Sequence, residues 1–481
     1  MTPARPPIRN LLLLLADQHR ADCLGCYGNA VVRTPHIDRL SSRGVRFTQA
    51  FTPQAICTPA RACIQTGLEA RRHGLIFNWE FQKFRGGELN LRPDTRLFSQ
   101  DLCDAGYRCA HLGKWHIGDV NKPSDYGYEG AYHPGYGFPA THPDYLQYVR
   151  QFGLDGFHFE SRMPASCRMM DHGPQQGPPE ASEAGYVASR TIEAIRRYAA
   201  EGRPWFASCN FWGPHTPYIV PEPYYSMYDG AAIEPWPEAG CPLDDKPWCI
   251  RRQGELWGTD WLTPERLSRL IGKYYGYISL IDAQVGRILA ALDEVGQLDQ
   301  TLIIYTADHG SSVGAYRMWD KGFGMYDCLW RVPMVMSHPS LSPRAADAFV
   351  SLLDLAPTFI ELAGRSPHDG LDGRSLVPLL EGRTDAVRED HLVCEGWGHQ
   401  IPFWQRMVRT STAKYIYNPT AQDEYYDLAA DPHETRNLID VVDRGALKRM
   451  RALLRDHIVA TGDPLRGWSA NLGQTDGSDR P

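Results

Sequence analysis

Asn10-Leu11-Leu12-Leu13-Leu14-Leu15-Ala16-Asp17-Gln18-His19-Arg20 decides the class of fold. From Leu11 to Ala16 the chain is apolar without alternation. That pattern belongs to a strand buried on both faces, as in parallel sheets covered by helices. Polar residues follow at once. Such groups lie at the carboxyl edge of a sheet, where open α/β folds bind their ligands.

Working outward, the same arrangement recurs. Residues 107–112 are strand-like and run into Gly113-Lys114-Trp115-His116-Ile117-Gly118. Residues 205–211 precede Trp212-Gly213-Pro214-His215-Thr216-Pro217, and 301–306 precede Ala307-Asp308-His309-Gly310. Residues 331–336 are a further strand candidate. Thr34-Pro35 opens a short helix that stops near Gly44, and 45–47 read as extended. Residues 186–200 and 264–295 carry helical apolar spacing, and 350–363 read as a helix despite Pro357. The alternation predicts an α/β fold, a large and mostly parallel sheet with helices on both faces.

From about Gly382 the texture changes. Residues 407–417 and 424–428 look like short antiparallel strands, and 444–458 form an amphipathic closing helix. The expected division is an α/β catalytic domain over 1–381 and a smaller α+β subdomain over 382–481. Residues 119–185 read as long loops. The stretch 219–263 is rich in Pro and Trp, which suits either sugar stacking or an insertion with its own small core.

Bulk properties exclude some partners. Fifty Lys and Arg against 57 Asp and Glu give a net charge of −7, so no basic footprint points to nucleic acid. An anionic substrate would need a local cationic pocket. No apolar run reaches the length of a membrane span. The run 11–16 is too short for a signal sequence and ends at Asp17 without a cleavage site. The expected location is cytoplasmic, or periplasmic or secreted if a signal lies outside this sequence. Twelve cysteines are scattered, and the lone Cys23-Leu-Gly-Cys26 has no second pair to complete a zinc site.

One stretch carries the chemistry: Ala55-Ile56-Cys57-Thr58-Pro59-Ala60-Arg61-Ala62-Cys63-Ile64-Gln65-Thr66-Gly67. Thr58 reads as a helix N-cap, Pro59 as a first-turn residue and Gly67 as the stop. Cys57 then sits just ahead of a helix N-terminus, which favours anions. Arg61 lies one turn on. A sulfur nucleophile beside an anion site is the plain reading. Four strand ends add Asp17/Gln18, Lys114/His116, His215 and Asp308/His309 to the same edge, and Lys321 joins from a loop.

Cys57-Thr58-Pro59-Ala60-Arg61 with Thr66-Gly67 resembles the signature of the type I sulfatases, in the alkaline phosphatase superfamily. Gly113-Lys114-Trp115-His116, Asp308-His309-Gly310 and Asp320-Lys321-Gly322 are similar to further motifs of that family. The resemblance implies that a formylglycine-generating enzyme oxidises Cys57 to Cα-formylglycine, whose hydrate is the nucleophile. It implies a metal held by Asp17, Gln18, Asp308, His309 and the oxygen derived from Cys57. Oxygen donors suit Ca²⁺; Gln18, where many members have Asp, removes one charge and admits Mn²⁺. It further implies that Arg61, Lys114 and Lys321 neutralise the sulfate, that His215 protonates the leaving alcohol, and that His116 is the base that releases sulfate.

The expected substrate is a small-molecule or oligosaccharide sulfate ester, on a sugar by preference. The nearest alternative is a phosphonate monoester or phosphodiester hydrolase of the same superfamily, whose members also carry Asp-Gln after the first strand. Lys114-Trp115-His116 favours the sulfatase. An inactive carbohydrate-binding homologue is the alternative from another class. A plain thiol enzyme is disfavoured because the sequence offers Cys57 no evident Cys–His partnership.

Overall fold

The computed structural model describes residues 7–82, 88–133, 137–163, 170–322, 324–383, 388–468 and Leu472. Strand β1 (Asn10–Ala16) is wholly buried, as its unbroken apolar run requires. After it come α1 (Pro35–Ser42), β2 (Gly44–Phe51), α2 (Cys57–Thr66) and β3 (Arg108–Lys114). Then follow α3 (Glu183–Glu201), β4 (Trp205–Asn210), α4 (Pro264–Glu294), β5 (Thr301–Ala307), β6 (Met334–Ser337), β7 (Arg344–Ser351) and α5 (Leu355–Leu362). The sheet order is β7-β2-β6-β5-β1-β4-β3, with short strands Tyr128–Glu129 and Tyr132–His133 beside β3. Every pairing in it is parallel except those of β6, which runs antiparallel to β2 and β5.

Helices cover both faces. Successive residues of a strand point to opposite sides. Phe206 of β4 meets Phe98 and Phe359, from the helix Phe98–Asp104 and from α5, while Trp205 meets Tyr198 of α3. Helix α4 packs on α1 and α3. At a transfer energy near 25 cal/mol per Å² of apolar surface, this double-sided core is the main stabilising contribution.

The register positions the site. Ala16 is paired with Ala307, so Asp17 and Asp308 leave adjacent strands side by side. Leu15 and Gly113 are both paired with Asn210, which brings the residues after β1, β3 and β4 to one edge. Gly113 is required there: at φ +88°, an added Cβ would lie 2.1 Å from the Asn210 carbonyl oxygen.

Two expectations need correction. Residue 350 belongs to a strand, and the α-helix begins only at Leu355. Pro357 therefore falls in the first turn, where its missing N–H leaves no gap. The stretch 407–417 is two strands, β9 (Pro402–Thr410) and β10 (Ala413–Tyr417), of a four-stranded antiparallel sheet. Its edges are β8 (His391–Gly398) and β11 (Glu424–Asp427). Helix α6 (Arg444–Thr461) closes over it with Met450, Leu454 and Ile458 buried. Within 119–185 and 219–263, the segments Pro143–Val149 and Trp248–Trp257 are helical. No described helix is long and apolar enough to cross a membrane.

The antiparallel sheet is tied to the end of α6 by Arg406, whose Nε and Nη2 donate to the two Asp463 oxygens at 2.6 and 3.0 Å. Both side chains are 1% exposed. Removing one partner of such a pair strands the other charge. Asp463→Ala should therefore cost about 3–5 kcal/mol of stability, read as a lower urea midpoint. An unchanged midpoint would show that this pair does not hold the sheet and helix together.

Candidate functional site

Helix α2 begins two residues earlier than the sequence indicates. Ile56 occupies the cap position and Cys57 is the first helical residue. Thr58 does not cap: its N–H donates to Asn78 Oδ1 at 3.0 Å, and its buried hydroxyl has no hydrogen-bond partner among the described residues. Gly67 ends the helix as expected, at φ +67° with its N–H on the Cys63 carbonyl.

Cys57 lies wholly buried at the convergence of the strand ends. Its Sγ is 3.3 Å from His309 Nε2 and 3.7 Å from Asp17 Oδ1. One donor atom from each of Asp17, Cys57, Asp308 and His309 lies within 4.8 Å of all the others. Gln18 joins them. Its N–H donates to Asp308 Oδ1 and its Nε2 to Ser311 Oγ, which leaves its buried Oε1 without a partner among the described residues. The backbone of Gln18 is left-handed at φ +63°, as is that of His116 at φ +53°, a conformation costing such residues on the order of 1–2 kcal/mol. The surrounding packing overrides that preference at two of the residues expected to function.

Charge accounts for the next layer. Arg61 Nη2 and Nε donate to Asp17 Oδ2 and Asp308 Oδ2, each at 2.9 Å, and Nη1 donates to the Lys114 carbonyl at 3.0 Å. Its fork is thus spent on the carboxylates, which corrects the expectation that Arg61 grips the sulfate. Lys114 Nζ lies 2.7 Å from Asp17 Oδ2 and 4.3 Å from the centre of the Trp212 ring. Burial and the nearby Cys57 raise the Asp17 pKa, but Lys114 and Arg61 outweigh them and hold it well below the usual carboxylate range. Burial and Asp17 push Asp308 up to about 6. Burial disfavours a protonated His309, yet Asp308 and Cys57 lift its pKa to about 9. Burial likewise opposes a thiolate at Cys57, but Lys114, Lys321 and His309 draw its pKa well below the ordinary value. The centre is built to hold negative charge at position 57.

The remaining expected residues converge here too. His215 Nε2 is 2.5 Å from Lys321 Nζ, and Lys321 is 3.2 Å from Asp320 Oδ1. His116 Nε2 lies 3.1 Å from Glu80 Oε1, and His116 is among the groups that lower the Cys57 pKa. Against the expectation that Cys57 lacks a histidine partner, His309 Nε2 lies 3.3 Å from its sulfur.

Sequence reading missed several contributors. Glu80 sits in the short helix Trp79–Gln82, which carries no periodic or motif signal. Glu183 accepts from the N–H groups of Trp212 and Gly213 and from Tyr277 Oη, holding the loop that carries His215. His399, from the antiparallel sheet, is 3% exposed and packs on Gly322 and Phe81. Its Nδ1 has no partner among the described residues.

The donor set fits a hard divalent cation. It offers two carboxylates, an orphaned amide oxygen and an imidazole whose Nδ1 faces the Gly310 carbonyl at 2.8 Å. That contact leaves Nε2 free to ligate. Known proteins agree with the geometry. The sulfatase family profile matches residues 9–365, and the profile for the C-terminal part of N-sulphoglucosamine sulphohydrolase matches 314–460. An arylsulfatase of Clostridium perfringens is 28% identical over 474 residues, covering 90% of each chain. An N-acetylglucosamine-6-O-sulfatase of Bacteroides thetaiotaomicron is 26% identical over 496 residues, covering 89% of this chain and 82% of the other. The crystal structure of the phosphonate monoester hydrolase of Agrobacterium radiobacter superposes with a TM-score of 0.75 at 26% identity, covering 95% and 96%.

Glu80→Gln keeps the shape and removes the charge that orients His116. The expected result is a fall in kcat of roughly 10- to 100-fold with KM little changed, measured by steady-state kinetics. Unchanged kcat would remove Glu80 from the site.

Proposed function

The chain belongs to the sulfatase family and is a sulfuric ester hydrolase, and from that premise we propose that it cleaves a sugar sulfate with a formylglycine hydrate made from Cys57. The observation carrying this reading is the Cys57 environment: wholly buried, at a helix N-terminus, with Lys114, Lys321, His116, His215 and His309 around it. The maturation step requires a formylglycine-generating enzyme that, with an external oxidant, converts the Cys57 CH2–SH to an aldehyde and releases the sulfur; water then hydrates the aldehyde.

Asp17, Gln18, Asp308 and His309 would hold the cation, Ca²⁺ by the hardness of its donors, with Mn²⁺ also compatible. When bound, it supplies Lewis acidity that eases deprotonation of the nucleophilic hydroxyl. Arg61 keeps the two carboxylates apart and oriented. Lys114 and Lys321 neutralise the non-bridging sulfate oxygens. One hydroxyl of the hydrate, its proton released to water, attacks sulfur; the S–O bond to the alcohol breaks, and the departing oxygen takes a proton from the His215–Lys321 pair, whose Nε2 and Nζ are 2.5 Å apart. His116, oriented by Glu80, takes the proton of the second hydroxyl. Its electron pair forms the aldehyde C=O, and the bond to the sulfate oxygen breaks.

A sugar is supported by the likeness to an N-acetylglucosamine-6-O-sulfatase. Phosphonate monoester hydrolysis is the second reading, supported by Gln18 and by the likeness to the Agrobacterium enzyme. Lys114 and His116 at the centre favour the sulfate. An inactive carbohydrate-binding homologue is disfavoured because each expected catalytic and metal-binding residue is present at one centre.

Cys57→Ser can attack but has no second hydroxyl to release sulfate. Incubated with 4-nitrophenyl sulfate, it should give one nitrophenol per enzyme and a protein carrying sulfate, seen by mass spectrometry; continued turnover would sink the hydrate mechanism. Separately, chelation with EDTA should lower wild-type activity by about 10-fold or more, with recovery on adding Ca²⁺ or Mn²⁺.

A further inference from the structure

The Trp- and Pro-rich stretch 219–263 is not used by the sulfate chemistry described above. Much of it packs structurally: Trp236 lies under the Arg20 guanidinium at 3.8 Å, and Trp257 rests on the main core. Part of it borders a trough beside the site.

The trough begins at Trp212 and Thr216, on either side of His215, with a cavity of about 950 Å³. Phe138, Phe157, Phe159 and Ile219 wall it. His133 lines it, 2% exposed, with neither ring nitrogen hydrogen-bonded among the described residues. Burial lowers the His133 pKa to about 3, so the ring is neutral and offers one donor and one acceptor. Thr141 and Ser161 also line this space, as do two carboxylates already in use, Asp171 accepting from Ser161 Oγ and Glu183 from the Trp212 and Gly213 N–H groups. Aromatic faces with a few hydrogen-bonding groups suit a sugar ring, whose C–H face is apolar and whose rim is polar.

Met163 lines both this cavity and a second one of about 580 Å³. Arg162, Arg266, Arg269 and Lys273 line the second, and Asp229 is the one carboxylate among its described lining residues. Lys273 already holds Asp229, at 2.5 Å. Arg162 holds the exposed Glu160. Arg266 lies over the Trp261 ring, and Arg269 has the exposed Glu265 one turn away. Four cations thus line this pocket against one carboxylate, and with the exposed Glu160 and Glu265 counted the balance is still one positive charge, on a chain of net charge −7. The second cavity is also close to the site. His172 lines it and is the register partner of Tyr218, which is three residues from His215 and so no more than about 11 Å along the chain.

We propose that the two cavities form one trough for a polyanionic glycan. The aromatic chamber holds sugar rings next to the ester being cleaved, and the Arg162–Arg266–Arg269–Lys273 pocket holds a further sulfate or carboxylate on the same chain. The proposal rests on the sulfatase reading and deepens it from a sugar sulfate to a multiply charged oligosaccharide.

The test pairs Arg266→Ala/Arg269→Ala with two readouts. Binding of sulfated tetrasaccharides of heparin, chondroitin sulfate and carrageenan type is measured by calorimetry on the Cys57→Ala protein at low salt, with and without the double substitution. Turnover of 4-nitrophenyl sulfate is measured on the otherwise wild-type enzyme. At least one tetrasaccharide should bind, with affinity reduced ~10-fold or more by the double substitution and by added salt, while aryl sulfate kcat/KM stays within about two-fold. The trough is refuted if no tetrasaccharide binds, if binding ignores the two arginines, or if aryl sulfate turnover falls in parallel. Absence of any sulfate turnover by the wild-type enzyme would instead count against the reaction, since the calorimetry does not depend on it.

Discussion

Two carboxylates, Asp17 and Asp308, end adjacent strands with no exposure to water, and their repulsion sets the terms for the rest of the centre. Like charges buried this close are tolerated only with countercharge and hydrogen bonds. Arg61 supplies both, reaching across from the first turn of α2 with one nitrogen for each carboxylate. That requirement fixes where α2 starts, and so where Cys57 sits. Lys114 on Asp17 adds further countercharge, and, against the effect of burial, Asp308 in turn raises the His309 pKa. The same side chains form the candidate cation-binding set.

The surrounding fold holds this arrangement against local preference. Gln18, His116 and Asp320 all adopt left-handed backbone at the centre, a combined cost of several kcal/mol. The wholly buried sheet offsets it, with β1 between β4 and β5 as the rigid base. Glu183 fixes the loop before His215 from below, and the antiparallel sheet contributes His399 from the far side. The site is thus assembled from the whole length of the chain, from Asp17 to His399.

The sequence was legible where one physical signal dominates. The unbroken apolar run 11–16 located β1 to within one residue, because burial on both faces leaves no polar position inside it. The same reasoning found β3, β4 and β5, and with them Asp17, Lys114, His215 and Asp308. Boundaries slipped where signals compete. Thr58 looked like a cap, but Asn78 takes the free N–H instead, and that contact is made by tertiary structure alone. The last two residues of β7, 350 and 351, were read as the start of a helix, and the rest of that strand gave no signal because its edge position leaves polar and apolar residues mixed. Glu80, Glu183 and His399 were invisible for a related reason: each acts on a residue distant in sequence, and no periodicity marks it. The 3.3 Å contact between Cys57 and His309, 252 residues apart, also shows that the missing Cys–His partnership was an artefact of reading along the chain.

The central claim is that this centre is matched to a sulfate ester, despite a likeness to phosphonate monoester hydrolase strong enough to make that reaction the serious competitor. The most direct measurement is kcat/KM for an aryl sulfate against the corresponding aryl phosphonate monoester, on protein co-expressed with a formylglycine-generating enzyme, with Cys57→Ala as the blank. The account predicts a preference for the sulfate that disappears in the blank. A preference for the phosphonate would contradict it, and would mean that Gln18 and the surrounding loops outweigh Lys114 and His116 in selecting the substrate.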